Sequence, residues 1–159
     1  MENINPKVLE IGQMNIAGNV IPEAWFQNIV RPNGKAYITA IIILADILYW
    51  YRPTEVRDEH TGRVIQYKQK FKADMLQKSY SELSEKFGLG KKETTNAVIH
   101  LESMGLIKRV FRTVNKFPNV MFIDIFPQAI KEISILSVEQ LIANMKKAEE
   151  ANETAYISR

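Results

Sequence analysis

A chain of 159 residues supports one hydrophobic core with extensions and is too short for two domains of ordinary size. Hydrophobic residues at 46% and charged residues at 25% match a soluble globular composition, which excludes wholesale disorder and a multi-span membrane protein. With 21 Lys plus Arg against 18 Asp plus Glu, the net charge of +3 permits an anionic partner without identifying one, while the absence of cysteine excludes disulfides, thiolate metal clusters and cysteine nucleophiles.

In chain order, the first nineteen residues read as an extended arm, and Met1 to Met14 has neither a basic start nor an apolar core of signal-peptide length. Together with the lack of cysteine this predicts a cytoplasmic protein. Pro22, with Glu23 behind it, opens a short helix from Pro22 to Ile29, because proline suits a first helical position and a carboxylate suits the positive end of the dipole. Its Trp25, Phe26 and Ile29 form an apolar face that must dock, either on the core of the same chain or on a second copy in a homodimer. Arg31-Pro32-Asn33-Gly34 breaks the chain and closes an N-terminal unit, residues 1–34.

Lys35 to Tyr51 reads as the core helix, apolar on nearly every side. It is too short and, with Asp46 inside, too costly to be a membrane span, for which about 20 apolar residues are needed. Arg52-Pro53 ends it. The polar stretch Thr54 to Lys68, with Gly62 between short β-prone runs, reads as an inserted hairpin near residues 54–68. Asp58, Glu59 and His60 at its tip have the ordinary composition of a polar turn, so no metal site is expected there.

Ser79, three residues before Glu82, forms a capping box for a helix through Phe87. Gly88-Leu89-Gly90 makes a turn, and a second helix starts at Lys91. By the helical period Thr94, Ala97, Val98 and Leu101 share one side, while Lys92, Thr95, Asn96 and Ile99 share the other. Gly105 stops this helix. Leu106 to Val114 and Val120 to Phe126 read as two strands around a turn at Asn115 to Asn119. Ile130, Ile133, Ile135 and Leu136 are apolar enough to pack back on the domain. Ser137 with Gln140 then caps a last helix to about Asn152, in a C-terminal helical extension spanning 127–159 with a frayed end at Asn152 to Arg159.

Two helices at a glycine turn followed by a β-hairpin make a winged helix-turn-helix, so the predicted class is α+β, mainly helical, with a winged-helix domain over 35–126. The segment from Ser79 to Phe126 resembles that family in Tyr80-Ser81-Glu82-Leu83-Ser84, Leu89-Gly90-Lys91-Lys92, Ala97-Val98, Leu101-Glu102 and Gly105-Leu106-Ile107. A narrower resemblance runs from Val20 to Val114, through Ile21-Pro22-Glu23-Ala24-Trp25-Phe26, Tyr49-Trp50-Tyr51-Arg52-Pro53 and Lys78-Ser79-Tyr80. It is similar to the N-terminal domain of DnaD-like, phage replisome-organiser replication proteins of mobile elements. The resemblance implies DNA and other replication proteins as partners.

Between Lys86 and Lys116 stand seven bases and two acids, a local excess larger than the net charge of the whole chain. The residues expected to meet DNA are Lys91, Lys92, Thr95, Asn96, Lys108, Arg109, Arg112 and Lys116. The charged members neutralise phosphates, and Thr95 and Asn96 carry groups that reach base edges. The expected function is nonenzymatic DNA binding in replication initiation; a transcriptional regulator with the same surface is the alternative. No phosphate-cradling glycine loop, zinc-binding histidine pair or nucleophile elbow is present, so no catalytic residue, metal or cofactor is expected.

Overall fold

The chain's most apolar segment becomes the helix around which the remaining elements are arranged. In the computed structural model, which describes residues 3–157, the elements in order are α1 (Pro6–Gly12), α2 (Trp25–Asn28), α3 (Ile38–Tyr51), β1 (Thr54–Arg57), β2 (Val64–Lys68), β3 (Leu76–Gln77), α4 (Tyr80–Phe87), α5 (Lys91–Ser103), β4 (Ile107–Val114), β5 (Phe117–Ile125), α6 (Pro127–Ile133) and α7 (Val138–Ile157). The fold is α+β with two small antiparallel sheets, β1-β2 and β3-β5-β4. No helix among the described residues is long and apolar enough to cross a membrane.

Helix α3 buries Ala40, Ile41, Ile43, Leu44 and Ile47 completely, as its lack of a polar face requires. It packs on α5 through Ala97, Val98 and Leu101, and α4 adds Leu83 to the same cluster. The three-stranded sheet closes the core with Leu76, Ile107, Met121 and Ile123. The Tyr51 hydroxyl joins the two layers, donating to the Ile123 carbonyl and accepting from the Leu76 amide. Burial, its largest influence, raises the pKa of that phenol.

Local signals explain the element ends. The capping box of Ser79 and Glu82 is formed in both directions, and Gly88, at φ 64°, stops α4 in the left-handed region that glycine adopts without penalty. The inserted hairpin is present as β1-β2, pairing Thr54 with Lys68 and Val56 with Gln66. At its tip the Asp58 carboxylate accepts from the amides of His60 and Thr61, so it serves a turn.

Several expectations need correction. The first nineteen residues are not wholly extended: α1 forms there because the Asn5 side chain accepts from the Lys7 amide and Pro6 occupies its first turn. The helix expected from Pro22 to Ile29 is shorter, since the residues before Trp25 form a turn. The β4-β5 turn is only Asn115-Lys116, both at positive φ, and β5 starts at Phe117. Pro118 is accommodated because the ladder slips beside it, between the pairs Arg112–Val120 and Val114–Phe117, so no ladder amide is required of it.

Strand β3 carries no periodic signal in its two residues; tertiary pairing with Phe122 and Ile123 makes it. Pro127 to Ile133 forms a helix, α6, of which Ile130 packs into the core, while Ile135 stays exposed. The last helix continues past Asn152 to Ile157; the remainder of the expected frayed end, Ser158 and Arg159, lies outside the described residues.

The apolar face of the short N-terminal helix docks within its own chain. Trp25 and Ile29 are fully buried in the main cluster, and the Trp25 indole donates to the Ser134 hydroxyl at 2.8 Å. The Asn28 amide donates to the Ile133 carbonyl at 2.8 Å, tying α2 to the end of α6. Of the three residues expected to anchor a homodimer, only Phe26, 42% exposed, remains on the surface.

Candidate nucleic-acid interface

The outer face of α5 follows from which of its residues the core consumes. Thr94, Ala97, Val98 and Leu101 are buried against α3, so Lys91, Lys92, Asn96 and Ile99 are left exposed and Thr95 half-exposed. Gly90 stands at the N-cap without a side-chain oxygen to satisfy the first amides. The positive end of the helix dipole is therefore uncapped by any side chain where Lys91 and Lys92 add two ammonium groups. The acid of that turn, Glu93, is diverted toward α3, where its carboxylate accepts from the Thr39 hydroxyl at 2.6 Å. Thr95 donates its hydroxyl to the Lys91 carbonyl at 2.9 Å, leaving its oxygen as an acceptor, and the Asn96 amide has no hydrogen-bond partner among the described residues.

Three of the seven bases from Lys86 to Lys116 are held in ion pairs. Lys86 pairs with Asp46, the one carboxylate inside α3; Asn19 donates to the same oxygen at 3.2 Å. Burial would be costly for that carboxylate alone, and the ammonium beside it offsets the loss of water.

Arg109, expected on the phosphate-binding surface, instead turns toward the helices. Its guanidinium donates to Glu102 at 2.9 Å and to the Tyr80 hydroxyl at 2.9 Å, and its own amide also donates to Glu102 at 2.9 Å. This bonding holds the Glu102 carboxyl below its ordinary range and the Arg109 guanidinium above its own. Arg109 thus joins α4, α5 and β4. Arg112 makes a two-point pair with Asp74 at 2.7 and 2.9 Å and lies 5.0 Å from the Phe122 ring centroid, which engages it with the loop before β3. The Asp74 carboxyl is lowered chiefly by that bonding.

Four lysines remain: Lys91 and Lys92 at the start of α5, Lys108 at the start of β4, and Lys116 on the β4-β5 turn. All four are exposed, and none forms an ion pair or hydrogen bond through its side chain among the described residues. Lys116, at φ 70°, lies in the two-residue turn that closes the hairpin beyond the Val114–Phe117 pair.

Neither a family model, nor a curated protein, nor a solved structure matches this chain. The assignment of its surface therefore depends on residue chemistry. His100, off both faces of α5, lies with its ring tilted 4.9 Å from that of Tyr37, over which the Arg31 guanidinium sits at 4.0 Å, and so serves packing. The pairs of Arg109 with Glu102 and Tyr80, and of Arg112 with Asp74, were not legible from the sequence because the partners lie seven, 29 and 38 residues away.

Proposed function

We propose that this chain is a DNA-binding winged helix-turn-helix protein in which α3, α4 and α5 are the three core helices, α5 enters the major groove and the β4-β5 hairpin is the wing. The observation that carries this reading is the outer face of α5: two unpaired lysines at an uncapped helix start, followed one turn later by an exposed side-chain amide. Lys91 and Lys92 supply attraction to any duplex, and Asn96 supplies a donor and acceptor matched to an adenine edge. Lys108 and Lys116 add backbone contacts from the wing. Arg109 is a positioning residue that holds the wing to α5. The narrower role, replication initiation of a phage or mobile element with other replication proteins as partners, is supported by the resemblance carried between Val20 and Val114.

The test is binding of the full chain to a labelled random-sequence duplex over a series of salt concentrations. Replacing Lys91 and Lys92 by Ala should reduce the steepness of the salt dependence by about 1.8, the value for two lost phosphate contacts at about 0.9 each. Equal affinity and equal slope for wild type and variant would overturn the proposed surface.

A further inference from the structure

The chain leaving the inserted hairpin reads Tyr67-Lys68-Gln69-Lys70-Phe71-Lys72, with lysine at every second position and two aromatic residues among them. From Tyr67 to Lys78 there are four lysines and one acid, and that acid, Asp74, is already paired with Arg112. The fold holds this segment in place. The Lys70 ammonium donates to the Tyr49 carbonyl at 2.9 Å, at the C-terminal end of α3, and lies 4.0 Å from the Tyr49 ring centroid. Its pKa is lowered, first by burial and then by the nearby Arg52. The Gln69 amide donates to the carbonyls of Phe71 and Ala73, both at 2.7 Å, which folds the following loop back on itself. Phe71 packs against Tyr51 with ring centroids 4.9 Å apart.

With Lys70, Gln69 and Phe71 consumed in this way, Tyr67, Lys68 and Lys72 are left exposed, Tyr67 at 64%, with Arg52 exposed nearby in the cluster around Tyr49. Beside Lys72 opens a cleft of about 360 Å³ whose lining includes Trp50, Phe71, Lys72, Gln77, Lys78 and the acid Glu82. The Lys78 ammonium is already engaged there, pairing with Glu82 at 3.7 Å and sitting 4.9 Å from the Trp50 ring centroid, so the cleft leaves Lys72 as its available cation. An exposed tyrosine next to lysines suits an unpaired base stacked above its own phosphate.

We propose that the segment Tyr67 to Lys72 is a second nucleic-acid surface that takes a single strand. Tyr67 stacks with an unpaired base, and Lys68 and Lys72 neutralise backbone phosphates. A duplex offers no accessible base face, so the surface distinguishes unpaired strand from blunt duplex. The inference rests on the DNA-binding reading above for the class of partner and adds to it a preference for junctions between duplex and single strand.

The test uses the full chain and three labelled oligonucleotides: a single strand, a blunt duplex, and the same duplex with a single-stranded tail. The variant combines Tyr67→Ala, Lys68→Ala and Lys72→Ala, all at exposed positions, and circular dichroism verifies that it remains folded. Its affinity for the single strand and the tailed duplex should fall about tenfold or more, and the salt slope on the single strand should lessen by about 1.4, while blunt-duplex binding is unchanged. Unchanged single-strand binding overturns the inference, as does an equal loss on blunt duplex. If duplex binding remains sensitive to Lys91→Ala and Lys92→Ala in either case, the α5 surface stands and only this second surface falls. If the wild type binds none of the three probes, both fall.

Discussion

Replacing Lys86 by Met separates stability from binding in a stretch where the sequence alone suggests binding. Lys86 counts among the seven bases between Lys86 and Lys116, yet its ammonium is engaged with Asp46, which is completely buried. Removing the ammonium leaves a carboxylate in the core with, among the described residues, Asn19 as its remaining donor and one oxygen that already lacks a partner. Breaking a buried pair by deleting one member costs about 3–5 kcal/mol. The Lys86 side chain is 45% exposed, so water enters where it leaves, and the loss should lie at the low end, about 3 kcal/mol. For a domain of this size that lowers Tm by roughly 6–12 °C. Replacing both members, Asp46→Leu with Lys86→Met, removes the desolvated charge as well and should recover most of the loss. Urea denaturation of the four proteins in the cycle measures the coupling, and duplex affinity of the folded Lys86→Met protein should match wild type. A Lys86→Met protein within about 0.5 kcal/mol of wild type would refute the argument that this ammonium is what makes the buried carboxylate tolerable.

Asn96→Ala should reduce sequence preference more than nonspecific affinity, because a two-point amide contact to adenine is worth about 1–3 kcal/mol of discrimination; selection from a random duplex pool at one fixed salt concentration decides it, and equal enrichment of the same sites would locate specificity elsewhere. Glu102 has a lowered pKa in the folded chain, so the stability it contributes is fully present above its unfolded-state value, near the ordinary carboxylate range, and is lost as pH falls through the folded value. Denaturation curves from pH 6 downward should therefore fall less steeply for Glu102→Gln, though not become flat, since Asp74 is shifted in the same direction. Trp25→Ala removes a fully buried ring together with its bond to Ser134 and should cost about 3–5 kcal/mol. Sedimentation of a chain carrying Phe26→Ala measures the separate question: a wild-type dimer dissociated by that change would restore the homodimer role to the one exposed residue of the trio.

The sequence by itself determined the elements whose signals are local. Ser79 and Glu82 lie three residues apart and need only each other to start α4, glycine at 88 needs only its own backbone freedom to stop it, and the period of Thr94, Ala97, Val98 and Leu101 already divides α5 into an inner and an outer face. The unbroken apolar run of α3 likewise announces a helix that must be surrounded. What tertiary structure decided is which charges are available. Arg109, Arg112 and Lys86 look the same in sequence as Lys91, Lys92, Lys108 and Lys116, yet their carboxylate partners come from α5, the loop before β3 and the middle of α3. An ion pair forms wherever folding brings two side chains together, irrespective of their separation along the chain, and no local window records it. The same is true of Trp25 and Ile29, whose apolar face asks for a partner but cannot name it: α2 bonds to the end of α6 more than a hundred residues later, and that contact places both side chains inside their own core.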